Sequence, residues 1–171
     1  PLPQEVLSDR DRQDVAETFY VFPPTPLRIL GALLATFARR PLRFSATFWA
    51  TVRHRLPGVK NLVWALFYFA EGMLIAQELR KRGVDHLHNH FANAAASVGF
   101  AATRYLGIDW SLTLHGISDF DYPHGPLLPE KIAQARFLAC VSHFGRAQAM
   151  RVSPTEHWPK LFIARCGVDL D

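Results

Sequence analysis

Gly83-Val84-Asp85-His86-Leu87-His88-Asn89-His90-Phe91 marks where this chain changes its hydrophobic period. Before it lies a long helical pattern, about Asn61 to Arg82, with Leu62, Leu66, Phe69, Met73, Ala76 and Leu79 as its apolar stripe. Arg80, Lys81 and Arg82 suit the negative helix end, and Gly83 suits the left-handed residue that closes it. After it, short β-prone runs alternate with helical ones. Val84–Asn89 reads as a strand, Ala92–Leu106 as a small-residue helix capped by Gly107, and Trp110–His115 as the next strand. Leu127–Ala135 is helical, Phe137–Ser142 a strand, His143–Val152 a helix and Leu161–Arg165 a last strand. Such alternation specifies an α/β fold with a doubly wound parallel sheet, whose ligands sit beyond the carboxyl ends of the strands.

Upstream the pattern is weaker. Pro1 to Asp14 is polar and charged, and Thr18–Phe22 is β-prone and stopped by Pro23-Pro24. Leu27, Leu30, Leu33, Leu34 and Phe37 recur at helical spacing behind Pro26, and a second short helix runs from about Pro41 to His54. Both are flanked by Arg28, Arg39, Arg40, Arg43, Arg53, His54 and Arg55. Two readings follow: interfacial helices on an anionic leaflet, or amphipathic helices covering the sheet, which is the favoured one.

A chain of 171 residues suffices for one well-buried domain. Nearly half of it is apolar and a fifth charged, the balance of a globular protein, and its net charge of +4 suits anionic small molecules or an anionic membrane. Basic and aromatic residues are not interleaved as a nucleic-acid groove requires, so no nucleic-acid partner is expected. No window of about 18 charge-free apolar residues is present, so no bilayer-spanning helix is expected. Cys140 and Cys166 form no CxxC pair, which leaves zinc-ribbon and thioredoxin chemistry unsupported and favours a reducing compartment. Cys140, in an apolar run, reads as a small buried hydrophobe.

The strand ends are polar: His86, His88 and His90, then His115 and Gly116 with Asp119 beyond, then Ser142 and His143, then Arg165. His86, His88 and His90 share one strand face. They invite a rival reading, a metal-dependent, amidohydrolase-like hydrolase using the HxHxH strand with help from His115 and Asp119. A barrel of that type needs about 250 residues, and too few follow His90. Packed, hydrogen-bonded sheet histidines remain the plainer account of His86 and His88. Ser142 also stands in a helix N-cap position, and Asp119 equally suits a capping carboxylate.

His88-Asn89-His90-Phe91-Ala92, Ser111–Asp119 with its Thr113-x-His115 core, Ala135–Ser142 and Cys166-Gly167-Val168-Asp169 occur here in order. In these segments the chain resembles the N-terminal domain of retaining family-four glycosyltransferases of the GT-B fold, in their exopolysaccharide (colanic-acid-type) branch. The resemblance covers about residues 60 to 171. It implies a Rossmann-like acceptor-side domain over 61–166, preceded by a partial segment (1–60) and followed by the start of an interdomain hinge (167–171). It implies a parent enzyme that moves a sugar, with retention, from a nucleotide-sugar donor to a polysaccharide or lipid-linked saccharide acceptor. His115 would be the catalytic-cleft histidine; His90, Phe91, Gly116, Asp119 and Ser142 would bind substrate. No cofactor or metal is implied, since a C-terminal half would hold the nucleotide. The opening glycine-rich strand–turn–helix and that half, with its Glu-x7-Glu, find no match here; Glu71 and Glu78 have the wrong spacing. The expectation is a fragment, inactive alone, of a cytoplasmic enzyme with peripheral contact at the inner membrane face. A non-catalytic sugar-binding module is the third reading.

Overall fold

A computed structural model describes residues 8–21, 25–122, 125 and 127–167. Four helices lead: α1 Asp9–Glu17, α2 Pro26–Arg39, α3 Pro41–Arg53 and α4 Val59–Lys81. The polar, charged N-terminal stretch, to which the sequence reading assigned no element, is therefore partly helical. Ser8 caps α1, accepting from the Asp11 N–H at 3.2 Å while the Asp11 carboxylate accepts from the Ser8 N–H at 2.9 Å. Reciprocal capping of this kind initiates a helix without an apolar stripe. Thr18–Val21 forms no strand, and Phe22 lies outside the described residues.

β1 His86–His90, β2 Asp109–Leu114, β3 Phe137–Cys140 and β4 Leu161–Ile163 form an all-parallel sheet in the order 1-2-3-4. His90 pairs with Thr113 and Leu114 with Cys140. The connections are α5 Ala94–Leu106, then α6 Ile117–Phe120 with α7 Leu128–Gln134, then α8 His143–Arg151 and a 3-10 turn Thr155–Lys160. The expected strands and helices of this half all occur, with ends shifted by one or two residues. Gly83 and Gly107 adopt φ of +70° and +75°, as their capping positions require.

The sheet is packed from one side. Leu87, Trp110, Leu112, Leu114, Leu138, Cys140 and Leu161 point into a core closed by Ala96 and Phe100 of α5, Ile132 of α7 and Ala149 of α8. The opposite face carries His86, His88, Phe137 and Phe162, half-buried or exposed, around buried Ser111 and Thr113. Doubly wound packing needs a reversal of strand order, and the described strands contain none. Sequential order with right-handed crossovers puts the connecting helices on a single side.

Helix α4 rests on α5, and α2 and α3 pack outside them. The approach is close at Gly72, where a Cβ would come within 2.7 Å of the Ala101 Cβ. Of the expected α2 stripe, Leu33 packs inward against the cluster of Phe69, Met73 and Tyr105, while the other four residues point mostly outward. Ala32 and Thr36 face inward, while Leu27, Leu30, Leu34 and Phe37 are each at least half exposed. Polar bonds set this rotation: Gln77 Nε2 donates to the Ala32 carbonyl (3.3 Å) and the Tyr105 hydroxyl to that of Thr36 (2.8 Å). Only small residues leave those carbonyls within reach. In α4, Phe69, Met73 and Ala76 are buried as expected, but Leu66 is 41% exposed. By length and composition α4 could cross a membrane, contrary to the sequence expectation, which demanded a charge-free window that Glu71 interrupts. Its buried side is packed on α5.

Candidate functional site

Parallel register brings the carboxyl ends of β1, β2 and β3 to one rim. There His90 Nδ1 and His115 Nε2 lie 2.7 Å apart, so one ring donates and the other accepts a single bridging proton. The outer nitrogens, His90 Nε2 and His115 Nδ1, carry no hydrogen bond among the described residues. The Phe91 ring packs on His115, with centroids 4.4 Å apart and planes inclined by 31°. Phe91 reaches that position with φ +67°, while its N–H donates to the Thr113 carbonyl at 2.8 Å. A bulky residue in the left-handed region costs of order 1–3 kcal/mol and is found where structure around it enforces the strain.

Asp119 stands behind this cluster, 2% exposed. Oδ1 accepts from the Ala92 N–H (2.8 Å), and Oδ2 from those of His115 (2.9 Å) and Gly116 (3.4 Å). Both carboxylate oxygens thus accept from backbone N–H groups of the rim, the arrangement of a capping, loop-orienting carboxylate. Ser142 caps α8, accepting from the Gly145 N–H at 3.0 Å. No hydrogen bond joins the Ser142 side chain to the histidine pair among the described residues. Gly116 is half-buried, with open space where a Cβ would stand. A groove of about 390 Å³, lined by Phe91, Ala92, Asn93, Ser118, Asp119 and Tyr122, borders the cluster.

The other two histidines of β1 are held by hydroxyls. His88 bonds Ser111 Oγ (2.6 Å) and Thr113 Oγ1 (2.7 Å), and His86 Nε2 bonds Ser111 Oγ (2.7 Å). Both stack on Phe137, at 5.5 and 6.0 Å. Burial, and then the neighbouring imidazoles, hold His88 below the usual histidine range. His86 sits at the amino end of β1, away from the carboxyl rim where the sequence reading placed it. Among the described residues no three His, Cys, Asp or Glu side chains are arranged to hold a metal. Cys140 is buried in the core, which pushes its thiol up to about 11, and Cys166 is exposed. Val168 and Asp169, expected to begin a hinge, lie outside the described residues.

Sequence reasoning missed Lys131. It is 1% exposed, and its Nζ donates to the carbonyls of Ala92 (2.7 Å) and Asn93 (3.0 Å) in the loop that carries Phe91. Burial lowers its pKa to about 7, against the pull of Asp119 and Glu130. One signal was available: Lys131 falls on the stripe of Leu128, Ile132 and Ala135, the buried side of α7.

Comparison with known proteins gave no match to a family model, a curated protein or a solved structure.

Proposed function

We propose that this chain is the acceptor-side part of a retaining, nucleotide-sugar-dependent glycosyltransferase of the GT-B type, acting on a polysaccharide or lipid-linked saccharide. The observation that carries the proposal is the His90–His115 pair at the strand rim, with Phe91 against it and the outer ring nitrogens without a hydrogen bond among the described residues. Sugar transfer needs the leaving group's charge stabilised and an acceptor hydroxyl oriented near the anomeric carbon. His115 Nδ1 and His90 Nε2 are the groups able to bond sugar hydroxyls or a phosphate oxygen. The Phe91 ring offers an apolar wall for a pyranose face. Asp119 acts one step back, holding the backbone of His115 and Gly116. In this reading the donor diphosphate is held by a C-terminal half, and no metal is called for.

The outward apolar stripe of α2, with Leu42 and Trp49 of α3, supports peripheral contact with the inner membrane face, where a lipid-linked acceptor would be presented. Arg40 and Arg43 both donate to the Leu106 carbonyl and so cap α5. Arg39 and Arg53 remain to meet anionic headgroups, while the Arg28 guanidinium lies over the Phe19 ring, 4.8 Å from its centroid.

The test is transfer of labelled sugar from nucleotide-sugar donors to lipid-linked acceptors by the full-length protein. His115→Ala should lower turnover about 100-fold, the loss typical of a cleft electrostatic group. Turnover within a few-fold of wild type would remove His115 from the reaction.

A further inference from the structure

Among the described residues β1 is an edge strand, paired with β2 alone. The Phe91 N–H donates to the Thr113 carbonyl and the Asp85 carbonyl accepts from the Asp109 N–H, so the odd-numbered residues of this stretch turn their backbone groups toward β2. Alternation along the strand then directs the N–H and carbonyl groups of His86, His88 and His90 to the free edge. A row of unpaired backbone groups of this kind is a template for one more strand. Beside the edge runs a groove of about 320 Å³ between α4, β1 and α5. Ile75, Leu87 and Val98 give it apolar walls. Its polar members are half-buried Glu71 and Asn89, and Asn89 Oδ1 already accepts from Trp110 Nε1 at 2.8 Å. Val21, from the segment after α1, completes the lining.

Thr18–Val21 has the attributes of that strand. It starts near the amino end of β1, where Arg82 Nη1 donates to the Glu17 carbonyl at 3.0 Å. By Val21 it has reached the groove beside Leu87 and Asn89, so it runs parallel to β1, as the other strands do. Thr18 leaves α1 with extended backbone, φ −73° and ψ 125°. Exposure then alternates at the strand period, with Thr18 and Tyr20 exposed and Phe19 and Val21 half-buried. Thr, Phe, Tyr and Val are all strand formers. Among the described residues the one backbone–backbone bond of the segment is from the Thr18 N–H to the Val15 carbonyl, at the end of α1. The Arg28 guanidinium over the Phe19 ring, 4.8 Å from its centroid, ties the segment to α2.

We propose that Thr18–Val21 is a strap that closes on the free edge of β1 as a fifth parallel strand. Phe19 and Val21 then seal the groove, while Thr18 and Tyr20 join the histidine face of the sheet. With Val21 opposite Asn89, the His88 N–H donates to the Phe19 carbonyl and the Val21 N–H donates to the His88 carbonyl, the slanted pattern of parallel pairing. Closure withdraws the edge from pairing with other chains. The inference does not depend on sugar transfer.

Amide hydrogen exchange of the whole chain, read by NMR with isotope-labelled histidine, tests it. Slow exchange of the His88 N–H is expected in the unsubstituted chain. Val21→Asp puts a charge in the apolar groove, and Val21→Pro removes the N–H that meets the His88 carbonyl. Each should speed His88 exchange about tenfold or more. Val21→Ile, which keeps a β-branched apolar side chain, should leave it slow. Val21 belongs to neither buried cluster, and thermal melts report that the variants fold. Exchange of His88 at the rate of an unpaired amide in the unsubstituted chain overturns the proposal. Slow exchange that neither Val21→Asp nor Val21→Pro alters also overturns it, and assigns the edge to another occupant.

Discussion

Asp119 Oδ1 accepts a hydrogen bond from the Ala92 N–H at 2.8 Å, joining the loop after β1 to the loop after β2. Through Oδ2 the same carboxylate holds the His115 N–H, so the separation of the two rim histidines depends on a buried side chain that touches neither imidazole.

Asp119→Asn should be destabilising. The amide would turn a donor toward at least one of the three N–H groups now satisfied by the carboxylate. A loss of roughly 3 kcal/mol is expected by urea unfolding, with changed chemical shifts for the His90 and His115 rings. Unchanged stability together with unchanged His115 resonances would count against a positioning role.

Lys131 and His54 set the pH dependence of stability. Burial brings Lys131 from its ordinary 10.5 to about 7, so between those values the unfolded chain binds more protons than the folded one. Stability therefore rises with pH from about 7 toward 10.5, and the cost of the buried ammonium is fully present below about 7. His54, lowered from 6.5 to about 4, gives a second rise between those values and no further change above 6.5. Denaturant melts from pH 4 to 10 should show both limbs. His54→Gln should flatten the lower one and Lys131→Met the upper.

Gly72→Leu should separate α4 from α5. A single Cβ there already meets Ala101 at 2.7 Å, and the added chain has backbone of Val98 and Ala102 beside it. Overpacking of this kind costs about 1–3 kcal/mol. Thermal melting is the readout, and a Gly72→Leu protein as stable as the parent would contradict the close helix contact.

Leu30→Ser with Leu34→Ser leaves the core untouched, since these side chains are 52% and 61% exposed. If the α2 face meets a membrane, sedimentation with anionic vesicles should fall at least about tenfold, from the apolar burial lost. Equal sedimentation of variant and parent would assign that face to another surface.

The alternation after Gly83 was legible because strand and helix periods are local properties of the chain. All four strands and helices α5, α7 and α8 follow from it, whereas the short α6 and the 3-10 turn Thr155–Lys160 do not. The rim positions of His90 and His115 were legible for the same reason, since parallel strands deliver their last residues to one edge. The outward stripe of α2 was not, because periodicity shows that a face is apolar without showing what it meets. Polar bonds from Gln77 to the Ala32 carbonyl and from Tyr105 to the Thr36 carbonyl, across 45 and 69 residues of chain, set that rotation only once the helices are packed.

By itself, then, the sequence determined a parallel α/β layer and a histidine-rich strand rim, through residue order and spacing alone. Tertiary structure decided that Asp119 and Lys131 are buried braces, that His86 and His88 are tied to hydroxyls, and that the core fills one face of the sheet. Those outcomes depend on which backbone N–H and carbonyl groups lie within 3 Å of a side chain, a matter of folded distance that no local period encodes.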